Sequence, residues 1–254
     1  MMETVDTIRQ RLSSGQVVLG AWLTQPSPEM AEAMASLGFH WLAIDLEHGV
    51  AGFESMVRAC VAAERHGCVP LVRLPSADPY FARRCLDAGA QGLLVPVVED
   101  ALVFREFVDH CLYPPLGRRG VALGRFNRWG DEFESYFNEF RPLIVPMIET
   151  RKGINAADAL AALEPVDALF YGPYDLSADL GVVGNLEHES VASALEILKA
   201  GCAKYAKAAG GHQVAPDPDE LIMLIKNGFQ LIAYATDVIA MRHALSQGVQ
   251  RADI

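Results

Sequence analysis

The chain has 254 residues, of which 51% are hydrophobic and 21% are charged, a composition typical of a globular protein with a sizeable core. Its net charge of −11 argues against nucleic-acid binding, which needs clustered Lys and Arg against phosphate. No apolar run approaches the roughly 20 residues of a membrane span, and the first ten residues lack the apolar stretch of a secretion signal. We therefore expect a cytoplasmic protein.

The cysteine pattern does not suggest cross-links. The chain has an odd number of cysteines, and no two of them form a CxxC pair. Neither a disulfide framework nor a zinc cluster is therefore indicated, and we expect reduced thiols in the core. The residues concerned are Cys60, Cys68, Cys85, Cys111 and Cys202.

Short apolar runs alternate along the chain with longer segments of helical period. Continuous apolar runs of this length are typical of parallel strands that are buried on both faces. We predict strands at Val17–Leu23, Trp41–Asp45, Pro70–Arg73, Gly92–Val97, Leu143–Ile148, Ala168–Tyr171, Gly211–Val214 and Leu231–Tyr234.

Helical segments with start and stop signals lie between these strands. The first begins at Ser27, where Ser-Pro-Glu supplies an N-cap followed by proline, and it ends before Gly38. The predicted helices are Ser27–Leu37, Phe53–His66, Pro79–Asp87, Ala101–His110, Ile154–Leu163, Glu189–Ala208, Pro218–Lys226 and Val238–Ser246.

Strands that alternate evenly with helices form either an open doubly wound sheet or a closed barrel. Eight strands without a glycine-rich dinucleotide-binding loop favour the barrel. We predict an α/β protein with a (β/α)8 TIM barrel as a single domain over residues 1–254.

One segment, residues 113–141, departs from this rhythm and separates the fourth and fifth strands. A long loop in a compact barrel is often functional or forms an oligomer contact, and self-packing of its rings across the barrel floor is the alternative. Its aromatic residues are Phe126, Trp129, Phe133, Tyr136 and Phe137.

Reactive groups of a (β/α)8 barrel lie at the C-terminal ends of its strands. The polar side chains at or near these ends are Asp45, Glu47, His48, Arg73, Asp87, Glu149 and Asp175. Each one alone is as typical of a capping or solvated group, but their convergence on one mouth favours a functional site. Two carboxylates from neighbouring strands suit Mg²⁺ or Mn²⁺, and a structural ion-pair cluster is the alternative.

Six motifs stand in and around these strand ends: WLAIDLEHG at 41–49, LVRLP at 71–75, LDAGAQGLLVP at 86–96, YPPLGRRG at 113–120, MIET at 147–150 and GPYDLSADLG at 172–181. In order and spacing, from about Gly20 to Ala240, the chain resembles the HpcH/HpaI aldolase family. Its members are metal-dependent class II pyruvate aldolases, such as 4-hydroxy-2-oxoheptanedioate aldolase and 2-dehydro-3-deoxyglucarate aldolase. The resemblance implies a barrel like the phosphoenolpyruvate/pyruvate domain.

The resemblance also implies roles for single residues. It makes Glu149 and Asp175 the ligands of a divalent cation, which is Mg²⁺, Mn²⁺ or Co²⁺. It makes His48 the base and Arg73 the residue that stabilises the charge of an enolate.

Three further residues complete the implied site. Asp87 matches the carboxylate that raises the basicity of the histidine base. Tyr174 matches the position whose backbone contacts the bound keto acid, and Asp175 reaches both metal and substrate. Asp45 lies close to the histidine in sequence, and we expect it to support that side chain.

The implied reaction is the reversible cleavage of a 4-hydroxy-2-keto acid to pyruvate and an aldehyde, through an enolate held at the metal. The implied assembly is a homotrimer or homohexamer. Two alternatives stay open. One is related enolate chemistry, such as oxaloacetate decarboxylation or citrate formation and cleavage, and the other is a catalytically silent ligand-binding barrel.

The chain departs from the family pattern in two places. Met147 stands where many relatives have Gln, which removes an amide able to bond the substrate or a bound water. Near the C-terminus, YATD at 234–237 replaces a run of smaller residues and brings Ala235 and Asp237 to the end of the eighth strand. No Schiff base is required, because Lys152 is expected to be a solvated residue at the start of a helix.

Overall fold

A computed structural model describes residues 4–50 and 52–252, and a closed barrel of eight parallel strands lies at its centre. The strands are β1 (Val18–Leu23), β2 (Trp41–Asp45), β3 (Val69–Arg73), β4 (Gly92–Val95), β5 (Leu143–Ile148), β6 (Ala168–Tyr171), β7 (Ala208–Gln213) and β8 (Leu231–Thr236). Each strand pairs with its successor, and β8 pairs with β1. The predicted (β/α)8 barrel is confirmed.

Helices surround the barrel and connect its strands. They are α1 (Val5–Ser13), α2 (Pro28–Ala35), α3 (Phe53–Arg65), α4 (Pro79–Ala88), α5 (Ala101–Asp109), α6 (Phe133–Glu139), α7 (Arg151–Ala161), α8 (Pro173–Asp179), α9 (Glu189–Lys204), α10 (Pro218–Lys226) and α11 (Asp237–Arg251), with a 3₁₀ helix at Arg125–Gly130. In the described part of the chain, no helix is long and apolar enough to cross a membrane.

The strands are buried on both sides, since one face packs inside the barrel and the other packs under the helices. Every residue of β2, β3 and β5 is buried, which explains why these segments read as continuous apolar runs. All five cysteines are reduced and buried, as predicted.

Helix α1, which the sequence pattern did not reveal, closes the N-terminal end of the barrel. Its buried residues Val5, Ile8 and Leu12 belong to the apolar cluster that fills the barrel interior. On its outer face, Arg9 Nε donates to Asp167 Oδ1 at 2.7 Å. This contact joins α1 to the loop that precedes β6.

Strand β7 begins three residues before the predicted Gly211. Its first residues are Ala-Ala-Gly-Gly, which carry little of the β-branched signal used for prediction, and pairing with β6 and β8 defines the strand instead. Helix α11 continues to Arg251, beyond the predicted end at Ser246.

The segment 113–141 is more ordered than a loop. Its rings pack on one another: Tyr136 lies 5.0 Å from Phe126 and 4.4 Å from Phe140, between ring centroids. Trp129 instead is 74% exposed. Self-packing therefore accounts for most of the aromatic rings, and Trp129 is left on the surface.

Gly20 in β1 lies directly against Trp41 of β2. A Cβ at this position would collide with the buried indole and lie 2.6 Å from the Trp41 carbonyl oxygen. We expect Gly20→Ala to lower the free energy of unfolding by about 1–3 kcal/mol, as overpacked cores do, measured by urea denaturation. Gly52→Ala is the control, since no atom lies within 4 Å of its added Cβ, and equal losses in both variants would contradict the packing argument.

Candidate active site

A cavity of about 300 Å³ opens at the C-terminal ends of the strands. Clefts of about 400 Å³ elsewhere on the surface are larger, but they contain none of the residues His48, Arg73 or Glu149. Six of the seven predicted site residues line the mouth cavity: Asp45, His48, Arg73, Glu149, Tyr174 and Asp175. The barrel topology thus brings together residues from distant parts of the sequence.

A buried ion pair between Asp45 and Arg73 lies at the base of the cavity. Asp45 is 0% exposed and Arg73 is 8% exposed. The arginine Nε donates to Asp45 Oδ1 at 2.9 Å, and one terminal nitrogen donates to Oδ2. The guanidinium carbon also lies 5.1 Å from the centre of the Trp22 ring, so the arginine is held on two sides.

Asp45 accepts further hydrogen bonds from its surroundings. The indole Nε1 of Trp22 donates to Oδ2 at 3.1 Å, and the main-chain N–H of His48 donates to Oδ1 at 3.1 Å. Burial alone would raise the pKa of Asp45, but Arg73 and these donors outweigh it and lower the pKa below its ordinary value of 3.8. Asp45 is therefore a fixed carboxylate that orients its neighbours.

Glu149 projects from the end of β5 into the cavity and is 4% exposed. Its Oε2 accepts a hydrogen bond from the Val97 main-chain N–H at 2.8 Å. Burial, and next the negative charges of Glu47 and Asp175, raise the pKa of Glu149 to about 7. Gly172 follows β6 beside this carboxylate, and a Cβ there would lie 2.6 Å from Glu149 Cγ.

Glu47 adds a third carboxylate, which the sequence prediction did not assign a role. Its Oε2 lies 3.0 Å from an Arg73 terminal nitrogen, but this oxygen is buried and has no hydrogen bond of good geometry. Burial raises the pKa of Glu47. Glu47, Glu149 and Asp175 thus form a cluster whose mutual repulsion a bound cation would relieve.

The donor set fits a divalent metal that takes part of its coordination from substrate or water. Within residues 4–50 and 52–252, no group of three or more His, Cys, Asp or Glu side chains could hold an ion by itself. Glu149 and Asp175 supply hard oxygen atoms at the same cavity, and Mg²⁺ commonly binds through one or two carboxylates plus substrate and water.

The remaining predicted residues lie in different surroundings. His48 is exposed and faces the cavity. Tyr174 is 57% exposed in the first turn of α8. Asp87 lies near the end of α4, where it accepts a hydrogen bond from Arg119 at 2.7 Å, and it is not part of the cavity lining. Lys152 is on the surface and pairs with Glu99 at 3.2 Å.

Several cavity residues were not identified from sequence, and some of them carry polar groups. Trp22 lies near the end of β1, His212 lies in β7 and Thr236 ends β8. The rings of Trp22 and His212 stack with centroids 4.7 Å apart and planes 18° from parallel. The strand-end scan considered acidic and basic groups at the ends of other strands, so it did not include the indole, the hydroxyl or this histidine, which lies inside the predicted strand Gly211–Val214. Met147 is buried and lines the same cavity.

A closed parallel barrel with acidic and basic side chains at its C-terminal mouth defines a (β/α)8-barrel enzyme. The model of the HpcH/HpaI aldolase/citrate lyase family matches residues 18–244, and the chain belongs to this family. It is an enzyme of the aldolase, carbon–carbon lyase type.

Individual relatives agree with this assignment. A hydroxypyruvate/pyruvate aldolase of Roseovarius nubinhibens is 34% identical over 97% of this chain and 96% of the relative. A 4-hydroxy-2-oxovalerate aldolase of Novosphingobium aromaticivorans is 38% identical over 72% of this chain and 71% of the relative. The crystal structure of a family member from Burkholderia cenocepacia superposes with a TM-score of 0.91 at 29% identity, covering 98% of this chain and 100% of that chain.

The Asp45–Arg73 pair is expected to contribute to stability as well as to the site. We expect Asp45→Asn to lower the free energy of unfolding at pH 7 by about 3 kcal/mol, because it leaves a buried charge without its main partner. The native pKa of Asp45 is below 3.8, so its contribution is complete above about pH 4 and is lost as the pH falls through the native pKa. Urea denaturation at pH 7 and at pH 3 measures both effects.

The matched control is Asp6→Asn, which removes an exposed partner of Arg9. This change is expected to cost less than about 1 kcal/mol at either pH. A loss in Asp45→Asn that stays constant as the pH falls would contradict the role given to its carboxylate.

Proposed function

We propose that residues 1–254 form one catalytic domain that reversibly cleaves a 4-hydroxy-2-keto acid into pyruvate and an aldehyde with the help of a divalent cation. The observation that carries the proposal is the presence of Glu149, Asp175, Arg73 and His48 in the lining of one cavity. The names of the two relatives described above, both aldolases of short oxo acids, support the substrate class.

Glu149 and Asp175 would hold the cation, which is Mg²⁺, Mn²⁺ or Co²⁺. The family is one of divalent-metal-dependent aldolases. When bound, the cation acts as a Lewis acid toward the keto group of the substrate. The raised pKa of Glu149 fits this role, because a nearby positive charge stabilises the ionised form of a buried carboxylate that its neighbours otherwise disfavour.

Arg73 would bind the keto-acid end of the substrate and stabilise the negative charge that develops on its oxygen. Its guanidinium is held by Asp45 and Glu47, so it needs no rearrangement when that charge forms. The main chain at Tyr174 would contact the same end of the substrate.

His48 would accept the proton of the C4 hydroxyl in the cleavage direction. The C3–C4 bond then breaks, its electron pair becomes part of the pyruvate enolate, and the aldehyde leaves. A proton added at C3 completes pyruvate. Asp45 would position His48 through the hydrogen bond to its main chain. Asp87 lies outside this cavity, so it would raise the basicity of the imidazole of a neighbouring subunit in the proposed assembly.

The assembly is proposed to be a cytoplasmic homotrimer or homohexamer, as the family resemblance implies. The exposed Trp129 ring is a suitable residue for a contact between subunits. Sizing by light scattering that showed only monomers would oppose this part of the proposal.

A second candidate is related enolate chemistry, such as oxaloacetate decarboxylation or citrate formation and cleavage. Met147 favours it, because this residue lines the cavity at a position where many relatives have Gln. The thioether cannot bond a bound water or a substrate oxygen as an amide does, and the family name includes citrate lyase as well as aldolase. Comparing pyruvate release from a 4-hydroxy-2-keto acid with turnover of oxaloacetate separates the two reactions. Faster oxaloacetate turnover would favour the second. Pyruvate binding without turnover of either substrate would favour a silent barrel.

The metal role of Glu149 is tested by Glu149→Gln. We expect the affinity for Mn²⁺, measured by calorimetry, to fall by about 100-fold or more, since even residues that only support ligands are worth 10- to 100-fold. Metal-dependent pyruvate release should fall at least as far. Glu196→Gln, on the exposed face of α9, is the control and should retain both. Unchanged Mn²⁺ affinity in Glu149→Gln would remove this residue from the metal site.

The absence of a Schiff base is a separate expectation. Treatment of the enzyme with pyruvate and borohydride should leave its mass unchanged, because Lys152 is exposed and paired with Glu99 and is not in the cavity lining. A stable adduct on any lysine, found by mass spectrometry, would contradict the metal mechanism.

A further inference from the structure

One side of the mouth cavity takes no part in the chemistry proposed above. We call it the His212 wall, and it consists of Trp22, His212, Val214, Thr236 and Ile239. These residues come from β1, from the C-terminal end of β7 and the loop after it, and from β8 and the start of α11. Because β7, β8 and β1 are consecutive in the closed barrel, the wall is continuous.

Within this largely apolar wall, two side chains form a polar pair. His212 Nε2 and Thr236 Oγ1 are 3.2 Å apart, within hydrogen-bond distance. Thr236 precedes α11 as its N-cap residue, but its side chain makes no capping hydrogen bond. The hydroxyl is therefore not required by the helix.

The pair is electrically neutral at pH 7. Burial, and next the positive charge of Arg73, lower the pKa of His212 to about 4. The imidazole also hydrogen-bonds to the Ala235 main chain, so the remaining hydrogen-bonding capacity of the pair lies on the Thr236 hydroxyl, which has one hydrogen and two lone pairs. Such a pair can accept a hydrogen bond from a ligand hydroxyl, and it offers no positive charge to a carboxylate.

The charges in the rest of the cavity limit what can bind beside this wall. Among the described residues that line the cavity, Arg73 is the one permanently charged cation, and Asp45 and Glu47 already pair with it. On the proposed function, the keto-acid end of the substrate occupies the region of Arg73, Glu149 and Asp175. The remaining part of the substrate is the aldehyde-derived end, and the His212 wall is the remaining side of the cavity.

We propose that His212 and Thr236 form a neutral hydrogen-bonding subsite that selects uncharged aldehydes carrying a hydroxyl group next to the carbonyl. This inference rests on the proposed function and adds the class of its second substrate. A site built to bond a substrate hydroxyl discriminates against the analogue that lacks it, because the polar groups of the site are then left without a partner.

The test measures kcat/KM for aldol addition of pyruvate to glycolaldehyde, acetaldehyde and succinic semialdehyde. Glycolaldehyde and acetaldehyde differ by one hydroxyl, and succinic semialdehyde carries a carboxylate. We expect the wild-type enzyme to prefer glycolaldehyde over both of the others. Preference for succinic semialdehyde would overturn the proposal.

His212→Phe keeps an aromatic ring to stack on Trp22 and removes the hydrogen-bonding nitrogens. We expect the ratio of kcat/KM for glycolaldehyde to that for acetaldehyde to fall roughly three- to ten-fold, the effect of one lost hydrogen bond, with the KM for pyruvate unchanged. Thr236→Val, which has a similar shape and no hydroxyl, should shift the ratio in the same direction. His212→Gln, which can still donate and accept, should restore part of it.

His66→Phe is the matched control, since this histidine pairs with Glu32 on the outside of the barrel, and its ratio should equal that of the wild type. Equal losses with both aldehydes in His212→Phe, accompanied by a lower melting temperature, would make the histidine a packing residue and overturn the subsite. An altered KM for pyruvate with an unchanged aldehyde ratio would place the residue in the keto-acid region and also overturn it. A wild-type enzyme that consumes no pyruvate with any of the aldehydes would instead overturn the proposed function itself, and the subsite with it.

Discussion

The buried ion pair between Asp45 and Arg73 determines how the mouth of the barrel is arranged. Either charge would be costly to bury alone, so the two side chains hold each other in one geometry. Asp45 also accepts hydrogen bonds from the Trp22 indole and the His48 main-chain N–H. A single carboxylate therefore orients residues of β1, β3 and the loop after β2. Because Asp45 and Glu47 already pair with the arginine, the carboxyl groups of Glu149 and Asp175 in the same cavity are left to a cation.

The fold was largely predictable because the strands of a closed parallel barrel are buried on both faces. Strands such as Leu143–Ile148 contain almost only apolar residues, and their predicted bounds agree with the structure. Strand β7 was less visible because alanine and glycine form its first half, so its neighbours define it. Helix α1 was missed because its three buried residues are separated by polar ones over nine positions. Its role, which is to close the N-terminal end of the barrel, is visible only in the three-dimensional structure.

The candidate site was partly predictable for a related reason. Once the strand ends are located, parallel topology requires their side chains to meet, and this places Glu149 and Asp175 at one cavity although they follow different strands. The sequence motif that contains Asp87 does not reveal that this residue lies outside the cavity, where it accepts a hydrogen bond from Arg119. The pairing of His212 with Thr236 depends on the register between β7 and β8, a three-dimensional relation that no local pattern records.

Helix α1, which closes the N-terminal end of the barrel, limits how substrates and products reach the active site. In the residues that the structure describes, Val5, Ile8 and Leu12 close the N-terminal end of the barrel, bulky side chains fill its interior, and no channel runs through it. In the described part of the chain, substrates and products therefore reach and leave the site through the C-terminal mouth. A molecule bound near this opening would shield the groups beneath it, so the shape of the cavity favours ordered binding and release.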